Sequence, residues 1–215
     1  MNRLTKILIA STALLTLPAF AQAQSNGSGS EILNGQTDFH LSLSNLNVQV
    51  SDVSGNVAAQ SVAAGNTLDV TTMDDTSVTN EQYASSAMIG STLNADVTNI
   101  GGTVSLTSQA VCNSATVSTD PNVTAVYSNQ ECQAIDPSSS LNANVANIGN
   151  DVSLASTAVG NTFEEDTNAA SMPVQTYQIN ASSINSNVNA KVTNVTGNVD
   201  VTSAAIGNSA QIIHY

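Results

Sequence analysis

Four stretches of this chain lie over one another without a gap. They are NVQVSDVSGNVAAQSVAAGN (47–66), NADVTNIGGTVSLTSQAVCN (94–113), NANVANIGNDVSLASTAVGN (142–161) and NAKVTNVTGNVDVTSAAIGN (189–208). Val50, Val97, Val145 and Val192 correspond, as do Val57, Val104, Val152 and Val199, in steps of 47, 48 and 47 residues. A fixed period of that size means a repeat architecture, in which each unit buries its apolar face only by stacking on its neighbours.

A shorter repeat lies inside the long one. The closing element S-x-A-x-I-G-N returns in weaker form as SSAMIGS, ECQAIDP and ASSINS. Its turn positions are Gly65, Gly90, Cys112, Asp136, Gly160, Asn185 and Gly207. This spacing predicts about seven rungs of about 24 residues, alternating strong and weak, with two strands per rung. The strong rungs alternate with period two. Val152, Leu154, Ser156 and Ala158 take one face, and Ser153, Ala155 and Thr157 the other. That is the pattern of half-buried strands. The expected fold is all-β, a β-solenoid spanning residues 41–215 and standing about 34 Å tall at about 4.8 Å per rung. Asn66, Asn113, Asn161 and Asn208 then fall near one column, and Ser61, Ser108, Ser156 and Ser203 near another. Amide pairing along a column satisfies groups that are costly to bury.

Composition narrows the function. Only 3 of the 215 residues are Lys or Arg, against 16 acids, and there is no Trp. A chain this acidic has almost no cations to displace counterions from phosphates, which excludes nucleic-acid binding. The β-helix lyases and hydrolases need a basic residue beside paired carboxylates, so no enzymatic activity is expected. Arg3 and Lys6, an apolar run from Ile7 to Leu17 and small-x-small sites ending at Ala21 and Ala23 read as a secretory signal peptide over residues 1–23. Its apolar run is too short for a bilayer span. Cleavage there leaves Lys191 as the one Lys or Arg of an exported chain with no transmembrane segment. Residues 24–40 are expected to be flexible.

The last rung, NVDVTSAAIGNSAQIIHY, resembles a curlin repeat, S-x5-Q-x-G-x2-N-x-A-x3-Q. Asn208 and Ala210 fall on the Asn and Ala of that pattern, and the V-x-V-T flank agrees. Gly197, Ser203, Ala205 and His214 stand where Ser, Gln, Gly and Gln belong. Asn113 and Ala115 repeat the match; Asn161 keeps the Asn, with Phe163 in place of Ala. The resemblance implies a secreted fibre or adhesin subunit of curli or holdfast-anchor type. Such a subunit self-associates into fibres at the cell surface and is exported through a curli-type outer-membrane pore. The alternatives are a monomeric β-helix adhesin or glycan-binding protein and, further off, a polysaccharide-processing enzyme.

Cys112 and Cys132 are the only cysteines. In an exported chain an even pair favours a disulfide, closing the excursion between them; two free thiols or an intermolecular bridge are the other readings. No cofactor or metal site is expected, since His40 and His214 lie far apart in the repeat array. Asp74-Asp75 and Glu164-Glu165-Asp166 lack calcium-loop spacing and read as solvated acidic turns. Tyr83, Tyr127 and Tyr177 recur in the weak rungs, as core filling or as a surface stacking strip.

Overall fold

The computed structural model describes residues 10–11, 30–72, 76–119, 125–168 and 173–215. The expected signal peptide lies almost wholly outside them. Among the described residues all regular structure is strand: β1 (Ala10–Ser11), β2 (Ser30–Asp38), β3 (Leu41–Val53), β4 (Val57–Thr72), β5 (Thr76–Ile100), β6 (Val104–Thr119), β7 (Ala125–Ile148), β8 (Val152–Thr167), β9 (Val174–Asn180), β10 (Asn185–Val195) and β11 (Val199–His214). β1 is a two-residue antiparallel bridge onto β3 at Leu46 and Asn47. Every other pairing is parallel.

These pairings make three sheets of four strands. The first stacks β2, the leading part of β5, the leading part of β7, and β9. The second stacks β3, the trailing parts of β5 and β7, and β10. The third stacks β4, β6, β8 and β11. The first two sheets run end to end as one wall, because β5 and β7 pass through both. The third sheet is the facing wall.

On neighbouring hydrogen-bonded strands Val57 lies in register with Val104, Val104 with Val152, and Val152 with Val199. The stacking unit is therefore the long repeat, and the structure has four coils rather than seven rungs. At about 4.8 Å per coil the stack is about 19 Å tall, not about 34 Å. The physical reason is that each short repeat buries its apolar face against the other half of its own coil. Serine contacts record this facing directly: Ser61 Oγ donates to Ser44 Oγ (2.9 Å), Ser156 to Ser139 (2.8 Å) and Ser203 to Ser186 (3.0 Å). The partners lie 17 residues apart in sequence, on opposite walls.

β2 places residues 30–38, expected in the flexible segment, on the first coil, with Asn34, Gln36 and Asp38 buried. Val152, Leu154, Ser156 and Ala158 face the core. The core divides into three parts. Leu93, Val97, Ile100, Val104, Leu106 and their equivalents fill one end of each coil. Val78, Val117, Val126 and Phe163 fill the other. Ala63, Ala84, Ile89, Ala110 and the two cysteines lie between.

Between the walls the chain turns tightly at 54–56, 101–103, 149–151 and 196–198. Just before these turns Asp52, Asn99, Asn147 and Asn194 adopt φ of 58°, 56°, 58° and 53°. Asn and Asp tolerate that left-handed region better than other side chains do. A Cβ on Gly149 would meet the Gly101 carbonyl oxygen at 2.6 Å, so the close approach of successive turns requires glycine there.

Candidate functional site

Two columns of buried amides run through the middle of the stack. On the third sheet, Asn66 Nδ2 donates to Asn113 Oδ1 (2.8 Å), Asn113 to Asn161 (2.7 Å) and Asn161 to Asn208 (2.8 Å). Each amide nitrogen carries two hydrogens, and from Asn113 onward the second crosses the core. Asn113 Nδ2 also donates to the Glu131 carbonyl (3.0 Å), Asn161 to that of Ile179 (2.7 Å) and Asn208 to that of Gln178 (3.3 Å). Asn113 and Asn161 are fully buried with both hydrogens used, so burial costs them little.

The first sheet carries a matching ladder of glutamines, which the sequence reading missed. Gln178 Nε2 donates to Gln130 Oε1 (2.8 Å), Gln130 to Gln82 (2.8 Å) and Gln82 to Gln36 (3.0 Å). Their second hydrogens reach the carbonyls of Ser209 (2.9 Å), Thr162 (2.8 Å), Ser114 (2.9 Å) and, from Gln36, Thr67 (2.8 Å). The two walls are thus fastened to one another by amides from both sides. The signal was present in the sequence as Gln at 36, 82, 130 and 178, one coil apart each time.

The serine column also has more members than expected. Ser61 and Ser108 both contact Ser91 Oγ, at 3.0 and 2.9 Å, so the hydroxyls zigzag between walls.

Cys112 and Cys132 are disulfide-bonded, with Cα atoms 6.0 Å apart. They join β6 to β7 across the core, next to Asn113 and Glu131. Of the segment they enclose, the described residues 113–119 and 125–131 are strand. Cys112 occupies the column of Gly65, Gly160 and Gly207, where the walls come close.

The acidic reading at 164–166 needs correction. Glu165 lies on β8 in the column of Val70, Val117 and Ile212, and it is fully buried. Its Oε1 accepts from Thr119 Oγ1 (3.3 Å), while Oε2 has no hydrogen-bond partner among the described residues. Desolvation raises its pKa from 4.5 to about 7, opposed by the Thr119 hydrogen bond and reinforced by Asp166. Asp74-Asp75 lie outside the described residues. Tyr127 and Tyr177 are exposed and fall in different columns, so they neither fill the core nor form one strip. Among the described residues no cluster of His, Cys, Asp and Glu suits a metal ion, and no helix is long and apolar enough to cross a membrane.

Outside the core, a shallow groove of about 650 Å³ runs along the second sheet. Asn47, Asn94, Asn142 and Asn189 line it lengthwise over a floor that includes Ala95 and Ala143. Asn142 donates to Asn94 (2.9 Å) and Asn94 to Asn47 (2.8 Å), forming an outer amide row.

The ends of the stack differ from its middle. Val104 and Val152 are buried, but Val199 at the end of the same column is 48% exposed. Val117 is buried and Ile212, two coils on, is 52% exposed. Inward-facing side chains of the last coil therefore lie bare. Such open strand edges and apolar columns suit docking.

A family model described as HfaD, holdfast attachment protein D, matches residues 51–213. No curated protein and no solved structure matches the chain. The matched span takes in β4 to β10 whole and nearly all of β11, and so most of the solenoid with the whole asparagine ladder and three of the four ladder glutamines. The chain therefore belongs to the HfaD family of holdfast attachment proteins, with a holdfast-related adhesion role at the cell surface.

Proposed function

We propose that this chain is a nonenzymatic structural subunit of a holdfast anchor, and that it lengthens by stacking coil on coil with further copies of itself. The observation that carries this reading is the state of the end faces. Both amide ladders pass through all four coils, and in the last coil Val199, Val201 and Ile212 of the apolar columns are exposed. A solenoid that stays monomeric usually caps such ends with a polar or helical element. Among the described residues no helix covers the last coil, whose inward-facing Val199 and Ile212 stay exposed.

The apolar leader and small-residue cleavage sites support export as a mature chain. The curlin-like last coil supports passage through a curli-type pore and contact with other holdfast components. The acids oppose stacking by self-repulsion, so added salt or lower pH speeds it. The test is electron microscopy and sedimentation of the secreted protein, beside a variant deleted from Val199 onward. Filaments from the full chain and none from the deletion support the reading. Monomers at high concentration, in salt and near the pI of about 4.1, refute it.

The outer groove favours a second reading, a monomeric adhesin that binds glycan along its Asn-lined groove. Titration of the monomer with polysaccharide fragments, monitored by calorimetry, tests it. Loss of binding in Asn94→Leu with Asn142→Leu supports it, and no heat with any fragment refutes it.

A further inference from the structure

We infer that copies of this chain join in one direction and one register only, the last coil of one copy against the first coil of the next. Asn208 then meets Asn66 of the second copy, and Gln178 meets its Gln36. This deepens the stacking proposal and rests on it.

The argument comes from the polarity of the two ladders. In the asparagine ladder every side-chain donor points toward the C-terminal coil: Asn66 to Asn113, Asn113 to Asn161, Asn161 to Asn208. In the glutamine ladder every donor points the other way: Gln178 to Gln130, Gln130 to Gln82, Gln82 to Gln36. The last coil therefore ends in one unused donor and one unused acceptor. One hydrogen of Asn208 Nδ2 goes to the Gln178 carbonyl, leaving the other free. Gln178 Oε1 accepts nothing among the described residues, while its nitrogen serves Gln130 and Ser209.

The first coil ends in the converse pair. Asn66 Oδ1 accepts nothing among the described residues, while its nitrogen serves Asn113. Gln36 Nε2 gives one hydrogen to the Thr67 carbonyl and keeps one. The donor of Asn208 thus fits the acceptor of Asn66, and the acceptor of Gln178 fits the donor of Gln36. Both new bonds repeat the geometry already present between coils.

The surrounding columns continue in the same register. Val199 comes onto Val57, Val201 onto Ala59, Ser203 onto Ser61 and Ile212 onto Val70, each the next step of an existing column. Joining like faces instead would set the strands antiparallel and throw these columns out of line. All three sheets of the solenoid are parallel. A mismatched amide at the junction is buried without a partner, which is the costly outcome for a hydrogen-bonding group. β1 lies on β3 at Leu46 and Asn47, away from both ladders, and the expected cleavage removes it.

The experiment uses two variants of the secreted mature protein. One carries Asn208→Leu with Gln178→Leu; the other carries Asn66→Leu with Gln36→Leu. Far-UV circular dichroism checks that each is β-rich, and the single substitutions Asn208→Ala and Gln36→Ala replace any pair that is not. Each variant alone should stay monomeric and elongate wild-type seeds at least about a hundredfold more slowly, because two amide bonds are lost at one face. An equal mixture should give dimers of twice the monomer mass and nothing longer, since each variant keeps the one face the other needs. Elongation by either variant alone at the wild-type rate, or homodimers of either, would overturn the inference while leaving stacking itself intact. A wild-type protein that never assembles would instead remove the stacking proposal beneath it.

Discussion

Replacing Glu165 with Val should stabilise the folded monomer above neutral pH and do little in acid. In the folded chain the Glu165 carboxyl is enclosed between Val117 and Ile212, with one oxygen unpartnered. Burial lifts its pKa from 4.5 to about 7. Below pH 4.5 both the folded and the unfolded chain hold the proton, and this group adds no pH dependence. As pH rises from there, the unfolded chain releases its proton first while the folded chain keeps it. Stability therefore falls through the window from 4.5 to about 7, and the loss is complete above it. At about 1.4 kcal/mol per pH unit the loss is about 3 kcal/mol. Val fits the column, where Val70 and Val117 stand in the coils before. Urea unfolding of wild type and Glu165→Val from pH 4.5 to 8, at concentrations that keep both monomeric, measures the difference. The variant's advantage should grow by about 3 kcal/mol across that range. A difference that is flat with pH would refute the burial argument.

Three further outcomes follow from the same geometry. Val152→Asp should cost about 4 kcal/mol or more by burying an unpaired carboxylate, whereas Ser153→Asp on the outer face should cost under about 0.5 kcal/mol, as read by thermal melts. Asn113→Leu, which orphans Asn66 and Asn161 side-chain atoms and the Glu131 carbonyl, should destabilise by about 3 kcal/mol; Asn94→Leu, in the outer row, should stay under about 1 kcal/mol in the same denaturant assay. Cys112→Ser with Cys132→Ser should lower stability by about 3 kcal/mol on the loop-entropy estimate, measured against the oxidised parent.

The parts of the fold legible in the sequence are those that repeat identically. Val50, Val97, Val145 and Val192 occupy one column because the same local pattern returns in each coil, and a pattern is what a sequence displays. The Asn66 column was legible for the same reason. What was not legible is which repeat stacks on which. The short and long periods both satisfy alternation, and it takes the strand register and the facing of Ser61 to Ser44 to decide that half-repeats oppose rather than stack. The glutamine ladder was not legible because the curlin pattern places glutamines at the positions of Ser203 and His214, whereas the ladder stands on the opposite wall. Glu165 escaped because neighbouring acids usually mark a turn. Strand alternation puts Glu164 and Asp166 outside and Glu165 inside, and that phase depends on where β8 begins.

The most direct measurement of the central claim is the axial rise of the assembled protein, by helical reconstruction of filaments from the secreted chain. Four parallel coils per chain, stacked head to tail, predict one chain per about 19 Å of axis with a continuous spacing of about 4.8 Å. A rise of about 34 Å per chain, as seven stacked rungs would give, or chains alternating in direction along the axis, would contradict it.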